Sequence, residues 1–130
     1  FGDGWIGVWC SVKRYAQAVA MIEAEAASIG RGEVDWCHGY QPWVGVDWDS
    51  TETAKAAAKS GMEAFYKIPF EQFERYTPVG TPFEVAAQLA PYARAGCKMF
   101  NLKVCAERPE EEVALGAAVI AHLAELVDAD

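Results

Sequence analysis

An apolar stripe with helical spacing dominates the first quarter of the chain. Ser11, directly before the stripe, is a suitable N-cap because its hydroxyl can accept from a free backbone N–H of the first turn. Gly30 and Gly32 predict the end of this helix. Residues 5–9 lie before it and form an apolar run that predicts a short buried strand. The stripe repeats every three or four positions and consists of Val12, Tyr15, Ala16, Val19, Ile22, Ala26 and Ile29.

A second strand is predicted within residues 33–47. Its strongest part is residues 43–48, with residues 34–37 as a candidate beginning. Pro42 makes one continuous strand doubtful, because proline has no N–H to give to a sheet. A helix beginning at Asp49 or Ser50 follows, and Asp49 with Glu52 fits a capping box. The apolar face of this helix is marked by Ala54, Ala58, Met62 and Phe65. Residues 68–78 then predict a connector, with a helical turn within residues 70–76.

The clearest local signals lie in residues 77–104. Thr81 is a good N-cap, Pro82 suits the first helical position, and Glu84 completes a capping box. Gly96 predicts the end of this helix, and Pro91 inside it predicts a kink. The strand that follows alternates between two faces. One face carries Met99, Asn101, Lys103 and Cys105, and the other carries Phe100, Leu102 and Val104.

The last predicted helix begins at Pro109 and opens with three glutamates, which suit the positive end of a helix dipole. Its apolar residues fall on two faces, which indicates burial or a subunit interface. The first face is Val113, Gly116, Ala117, Ile120, Ala124 and Val127, and the second is Leu115, Val119, His122 and Leu126. The element order is therefore β-α-β-α-α-β-α, with about three strands and four helices, which favours a parallel α/β sheet.

Composition narrows the class of protein. The chain has 130 residues, of which 52% are hydrophobic, enough for one domain with a core. Its net charge of −8 argues against a nucleic-acid or anionic-membrane partner. No apolar run approaches the roughly 20 residues of a membrane span. The four cysteines form no Cys-x-x-Cys pair, so we expect free thiols in a reducing compartment, the cytoplasm. They are Cys10, Cys37, Cys97 and Cys105.

Two segments resemble a known family. Residues 80–89, Gly-Thr-Pro-Phe-Glu-Val-Ala-Ala-Gln-Leu, with the helix and strand that follow, resemble the C-terminal signature of the bacterial luciferase-like monooxygenases. Residues 2–6, Gly-Asp-Gly-Trp-Ile, resemble the Asp-Gly-Trp segment that opens an earlier strand in that family. The order and spacing of the two segments also agree with the family.

The resemblance implies a TIM-type (β/α)8 barrel, which needs about 250 residues. This chain would be one partial domain, residues 1–130, supplying about the last three βα units of a longer protein. The family implies an oxidoreductase, or monooxygenase, that uses FMN or a deazaflavin coenzyme on a small-molecule substrate. We expect the chain to form barrel wall and part of the substrate pocket. Alone, we expect it to be inactive and to bind no cofactor tightly.

Site candidates follow from the rule that active sites of such barrels lie at the C-terminal ends of the strands. This rule selects Trp9 and Cys10 after the first strand and Trp48 after the second. On the last strand, Asn101 and Lys103 would point into the barrel, where the lysine could meet a phosphate or a carboxylate. The alternatives are core packing for the tryptophans and a solvated edge for Lys103.

Other chemical signals are weak. His38 is the only candidate for a catalytic base, and no nucleophile or orienting acid is visible beside it. Cys37, His38 and His122 are too sparse for a metal site, so no metal is expected. Residues 2–7 match Gly-x-Gly-x-x-Gly, but a strand follows instead of the helix that a dinucleotide site requires.

Three strands alone would leave unpaired edges, which need a partner. We expect the partner to be the missing N-terminal barrel segment or copies of the chain itself in a homo-oligomer. One alternative is a non-catalytic α/β module that self-associates through these edges. Another is a small flavodoxin-like sheet, although the Asp-Gly-Trp segment and the small number of strands count against it.

Overall fold

The computed structural model describes residues 2–129. The strands are β1 Ile6–Gly7, β2 His38–Tyr40, β3 Trp43–Val46, β4 Val79–Gly80, β5 Cys97–Phe100 and β6 Lys103–Cys105. The α-helices are α1 Val12–Ser28, α2 Thr51–Tyr66, α3 Pro82–Arg94 and α4 Glu112–Asp128. Short 3-10 turns lie at Phe70–Gln72, Glu74–Tyr76 and Pro109–Glu111. Strands and helices alternate along most of the chain, as the α/β class predicts.

Residues 38–46, here called the central line, organise the sheet. The line is interrupted at Pro42, as predicted, and its two parts are β2 and β3. The N–H of Gly39 donates to the carbonyl of Trp5, and the N–H of Gly45 donates to that of Pro78. In an extended strand, the N–H groups of alternate residues point to the same side. Gly39 and Gly45 are both odd-numbered, so β1 and β4 lie end to end on one side of the central line. All pairings are parallel.

On its other side, the central line pairs with β5 and β6. The two three-stranded groups are therefore β1-β2-β5 and β4-β3-β6. Among residues 2–129, no strand pairs with the far side of β5 and β6, so these two strands form an open edge. We call this side of the sheet the β5/β6 edge.

Helices α1, α3 and α4 lie on one face of the sheet and α2 lies on part of the other, so that two cores are enclosed. Even-numbered residues of the central line pack against α1, α3 and α4, because side chains alternate between the faces. This larger core contains Tyr15, Val19, Tyr40, Val44, Val46, Val85, Leu89, Leu115, Val119 and Leu123. Odd-numbered residues of β3 face α2 and the 3-10 turns. That smaller, aromatic core contains Trp43, Ala58, Met62, Phe70, Phe73 and Cys105.

The capping signals were read correctly for two helices. Ser11 accepts from the N–H of Arg14 at the start of α1. Thr81 and Glu84 form the complete capping box of α3, with Pro82 at the first position. Gly96 follows α3 with φ of 104°, a conformation that side chains rarely adopt. Local sequence therefore fixes both ends of α3.

Other boundaries differ from the prediction. The cap of α2 is Ser50, whose hydroxyl accepts from the N–H of Thr53, so the predicted capping box from Asp49 is wrong. Asp49 instead donates its backbone N–H to the carboxylate of Asp47. Residues 34–37 are not a strand, and β4 lies at the end of the predicted connector. With only two residues, β4 is too short to show an alternating pattern.

The two predicted faces of α4 have different environments. Leu115 and Val119, from the second face, are buried with Leu123 in the larger core. Val113 and Ile120, from the first face, are 84% and 43% exposed. Within residues 2–129, no helix is both long enough and apolar enough to cross a membrane.

Candidate functional site

Two concave surfaces along the β5/β6 edge contain Lys103. The larger is a groove of about 760 Å³ between α2 and α4, floored by β6. The smaller is a recess of about 300 Å³ at the C-terminal end of α2. We call the smaller one the Lys103 recess. It is lined by Gln41, Trp43, Phe65, Tyr66, Asn101, Leu102 and Lys103. Two of the five predicted pocket residues, Asn101 and Lys103, therefore come together.

Hydrogen bonds fix the polar groups of the Lys103 recess. The indole N–H of Trp43 donates to the hydroxyl of Tyr66 at 2.9 Å. The amide of Asn101 donates to the side-chain oxygen of Gln41, also at 2.9 Å. The Lys103 ammonium lies 5.4 Å from the centre of the Trp43 ring, within the range of a cation–π contact. The recess thus combines a cation, two amides and an aromatic wall.

Trp9 lies at the C-terminal end of β1, in a backbone conformation that is rare for a tryptophan. Its φ is +44°, in the left-handed region. The ring is held between Tyr66, at 5.1 Å, and Phe73, at 4.7 Å. Trp9 therefore lies at the rim of the aromatic core, with 36% of its surface exposed, and touches the Lys103 recess only through Tyr66.

Cys10 and Trp48 lie outside the Lys103 recess. The Cys10 carbonyl accepts from the hydroxyl of Tyr92 at 2.6 Å, toward the larger core. Burial raises the pKa of the Cys10 thiol, and Arg14 offsets only part of this effect, so the thiol is not activated as a nucleophile. Trp48 follows β3 and is 43% exposed. The structure thus divides the five predicted residues among four places.

All four cysteines are free, as the sequence predicted. Burial raises the pKa of Cys97, and it raises that of Cys105 to about 11. Inert, protonated thiols follow from these environments. Within residues 2–129, no cluster of histidine, cysteine and carboxylate side chains could hold a metal ion.

His38 is buried, with only 1% of its surface exposed. Its Nδ1 lies 3.2 Å from the backbone nitrogen of Trp5, and its Nε2 lies 3.2 Å from a carboxylate oxygen of Glu23. A backbone N–H can only donate, so Nδ1 accepts and the proton resides on Nε2, which donates to Glu23. The ring also stacks on Trp36. These contacts give His38 a structural role, and a catalytic role for it stays a prediction.

The sequence missed Trp43, Tyr66 and Gln41 as members of the recess. Trp43 was identified only as part of a strand, and Tyr66 lies outside the predicted apolar face of α2. Trp43 meets Lys103 because β3 and β6 pair in register at these two residues. That register links positions 60 apart in the sequence, and no local pattern encodes it.

The described residues do not fit a whole flavin mononucleotide, because its phosphate lacks a cradle. At the N-terminus of α3, the Glu84 carboxylate accepts from the Thr81 N–H at 2.8 Å and from the Thr51 hydroxyl at 2.9 Å. At the N-terminus of α2, Ser50 and Asp47 occupy the free N–H groups. At the N-termini of α2 and α3, the chain's own side chains therefore compete with a phosphate for the backbone N–H groups. The Lys103 recess has room for a ring system only.

Comparisons with known proteins bear on the fold. No family model matches this sequence, and no curated protein matches it. Among solved structures, it is similar to the coenzyme F420-dependent tetrahydromethanopterin reductase from Methanopyrus kandleri. The identity is 18%, the TM-score is 0.66, and the match covers 95% of this chain and 46% of the reductase.

A second similar structure is a riboflavin lyase with modified FMN and its substrate riboflavin. The identity is 15%, the TM-score is 0.66, and the match covers 96% of this chain and 39% of the lyase. The chain therefore spans less than half the length of each of these two proteins. The predicted fold class is confirmed: the chain has the α/β fold of part of a TIM-type barrel, which it shares with parts of these two proteins.

Proposed function

We propose that this chain is the C-terminal part of a luciferase-like oxidoreductase, or monooxygenase, that uses FMN or a deazaflavin coenzyme. The observation that carries the proposal is the structural likeness over 95% and 96% of the chain to two proteins named for coenzyme F420 or FMN. The Gly-Thr-Pro helix start, with its complete capping box, adds sequence support from the family signature.

In this proposal the chain supplies barrel wall and part of the substrate pocket. The Lys103 recess offers the pocket contacts, because it combines Asn101 and Lys103 with the Trp43 ring. The rest of the parent protein supplies the phosphate site, since the N-termini of α2 and α3 are already capped. The chain alone is therefore inactive.

The test begins with the native protein from its source. Its intact mass and absorbance spectrum are measured on one sample before proteolysis can shorten it. We expect a mass well above the 14.2 kDa of this chain, with a flavin or deazaflavin chromophore bound. A native mass equal to 14.2 kDa without a chromophore would overturn the proposal.

A second candidate function, a non-catalytic module that self-associates, has its own support. The β5/β6 edge is open, and Val113 and Ile120 of α4 are exposed beside the larger groove. Strands with free N–H and C=O groups pair readily with other chains. Helices also cover both faces of the β4-β3-β6 group, so the chain can fold without a catalytic partner.

Sedimentation of the purified chain at several concentrations separates the two candidates. The module predicts a defined homo-oligomer with no affinity for FMN or F420. A monomer that unfolds cooperatively would contradict both self-association and the need for a missing barrel segment.

A further inference from the structure

We propose that the Lys103 recess is a binding site for a planar aromatic carboxylate. This inference goes beyond the proposed function, because binding would belong to the chain alone and would require no flavin. It rests on the charge of one lysine, the arrangement of the rings around it, and the hydrogen-bonding capacity that the polar side chains retain.

The charge of Lys103 is not neutralised within the described part of the chain. None of the ion pairs among residues 2–129 includes Lys103. By contrast, Lys98 on β5 pairs with Asp35 at 3.2 Å, and Lys59 on α2 pairs with Glu71 at 3.1 Å. A carboxylate ligand could therefore pair with Lys103 without displacing an existing partner, and charge-assisted hydrogen bonds are the strong ones.

The aromatic wall is rigid where it meets the sheet and exposed at its rim. Trp43 is 8% exposed, and its indole is fixed by the hydrogen bond to Tyr66. Phe65 lies 5.5 Å from the Trp43 ring and is 66% exposed. A ligand ring that packed against Phe65 would cover this apolar surface and add a ring–ring contact. Burial of an exposed phenylalanine thus favours an aromatic ligand over a simple anion.

The unused hydrogen-bonding groups favour an anion over a cation. The Tyr66 hydroxyl accepts from Trp43, so its own proton remains to be donated. The Gln41 oxygen accepts from Asn101, so the Gln41 NH2 group remains a donor. Two donors and an ammonium thus border one recess. A carboxylate can accept from all three, whereas a cationic ligand would find like charge.

Size limits the ligand to one or two fused rings. The recess measures about 300 Å³, at the small end of ligand sites. The net charge of −8 opposes the approach of an anion. Salt screens that repulsion beyond roughly 8 Å at physiological ionic strength, so Lys103 dominates at contact distance.

The test is titration of the full chain with 2-naphthoate, followed by two-dimensional ¹H–¹⁵N NMR. We expect saturable shifts of the Trp43 indole N–H and of the backbone amides of residues 101–103. Neutral 2-naphthamide has the same shape, and we expect it to bind about tenfold more weakly, the usual effect of losing a charged hydrogen bond. The affinity for naphthoate should also fall as salt is added.

Two variants locate the site. Lys103→Met keeps the aliphatic stem, and it should weaken naphthoate about tenfold while leaving naphthamide unchanged. Lys98→Met makes the same charge change outside the recess and should alter neither affinity. Tyr66→Phe keeps the ring and removes the remaining donor, so naphthoate should bind a few-fold more weakly.

The proposal is overturned if naphthoate and naphthamide bind equally, if Lys98→Met weakens naphthoate as much as Lys103→Met, or if the shifts map to other residues. Folding of each variant is checked in the same spectra. A native protein without flavin would overturn the proposed function and leave this inference standing. Failure to bind naphthoate would overturn this inference and leave the proposed function standing.

Discussion

The two halves of the sheet differ in how one face is covered, the face to which the odd-numbered residues of the central line point. In the β1-β2-β5 group, Ile6 and Met99 flank Gly39 and are 47% and 43% exposed. In the β4-β3-β6 group, Trp43 and Cys105 are buried beneath α2, at 8% and 7% exposure. One half of the sheet thus has helices on both faces, and the other half has them on one face only.

Small residues allow α2 to lie directly against the second half of the sheet. A Cβ added at Gly45 would lie 2.2 Å from the Ala54 carbonyl oxygen and 2.8 Å from the Ala58 Cβ. The helix backbone therefore touches the strand directly. At Gly39, the nearest atoms would be the flexible end of Met99, at 3.1 Å, and the backbone of Met99, at 3.2 Å. Side chains of the sheet itself, and no helix, lie next to Gly39.

The prediction with the largest expected effect asks whether the half of the sheet beneath α2 contributes more to the free energy of unfolding than the other half. Trp43→Ala should lower the free energy of unfolding by about 3–5 kcal/mol, because it leaves a cavity under α2 and removes the Tyr66 hydrogen bond. Met99→Ala, on the exposed face, should cost less than about 0.5 kcal/mol. Urea unfolding of both variants measures the difference. Equal losses would contradict the distinction between the halves.

The second prediction tests the close approach of α2. Gly45→Ala should destabilise the fold by about 3 kcal/mol, because its Cβ would collide with backbone that cannot move aside. Gly39→Ala should cost less, since the Met99 side chain can shift. Gly32→Ala is the matched control, with no atom nearer than 3.8 Å to its added Cβ. If Gly45→Ala unfolds at the same urea concentration as Gly32→Ala, the direct contact is not required.

His38 provides a test within the less covered half. His38→Ala should cost about 1–3 kcal/mol, because the Trp5 N–H loses its acceptor. Hydrogen exchange of the Trp5 amide should accelerate, while amides of β3 stay protected. His122→Ala, at a half-buried position of α4 away from β1, is the control and should leave the Trp5 exchange unchanged. Unchanged Trp5 exchange would show that His38 does not hold β1.

The smallest expected effect concerns Glu84 at the start of α3, which follows β4 in the half of the sheet that α2 covers. The Thr81 backbone N–H, then the Thr51 and Thr81 hydroxyls, hold the pKa of the Glu84 carboxyl below its usual value of 4.5. The stabilisation is therefore complete above about pH 4.5 and is lost as the pH falls through the lower pKa of the folded state. Glu84→Gln should flatten this acid-side decline in the urea midpoint, whereas Glu110→Gln should leave it unchanged. An identical decline in Glu84→Gln would remove Glu84 from the pH dependence.

The ends of α3 could be predicted from the sequence because each depends on neighbours within a few residues. Thr81, Pro82 and Glu84 define its start, and Gly96 follows its last turn. The sequence left Asp49 and Ser50 open as the cap of α2, since both residues are good caps, and the capping box that it favoured from Asp49 was wrong. Only the turn formed by Asp47 decides between them, because it uses the Asp49 N–H.

The candidate site was less predictable than the fold. The predicted last strand is divided into β5 and β6, with Asn101 between them, but the predicted alternation still placed Asn101 and Lys103 on one side, where both line the recess. It did not show that α2 lies over the same face or that Trp43 is the neighbour of Lys103. Trp9, Cys10 and Trp48 were grouped by their positions after strands, and their actual environments depend on which helix packs beside each.

The sequence by itself determined the α/β class, three of the helix starts or ends, the free state of the thiols and the two faces of the last strand. These properties follow from local conformational preferences and side-chain periodicity. Only the tertiary structure decided that β1 and β4 share one side of the central line, that β5 and β6 form an open edge, and that Lys103 meets Trp43 and Tyr66. Such pairings depend on the packing of helices against distant strands, for example the direct contact of Ala54 and Ala58 of α2 with Gly45 of β3.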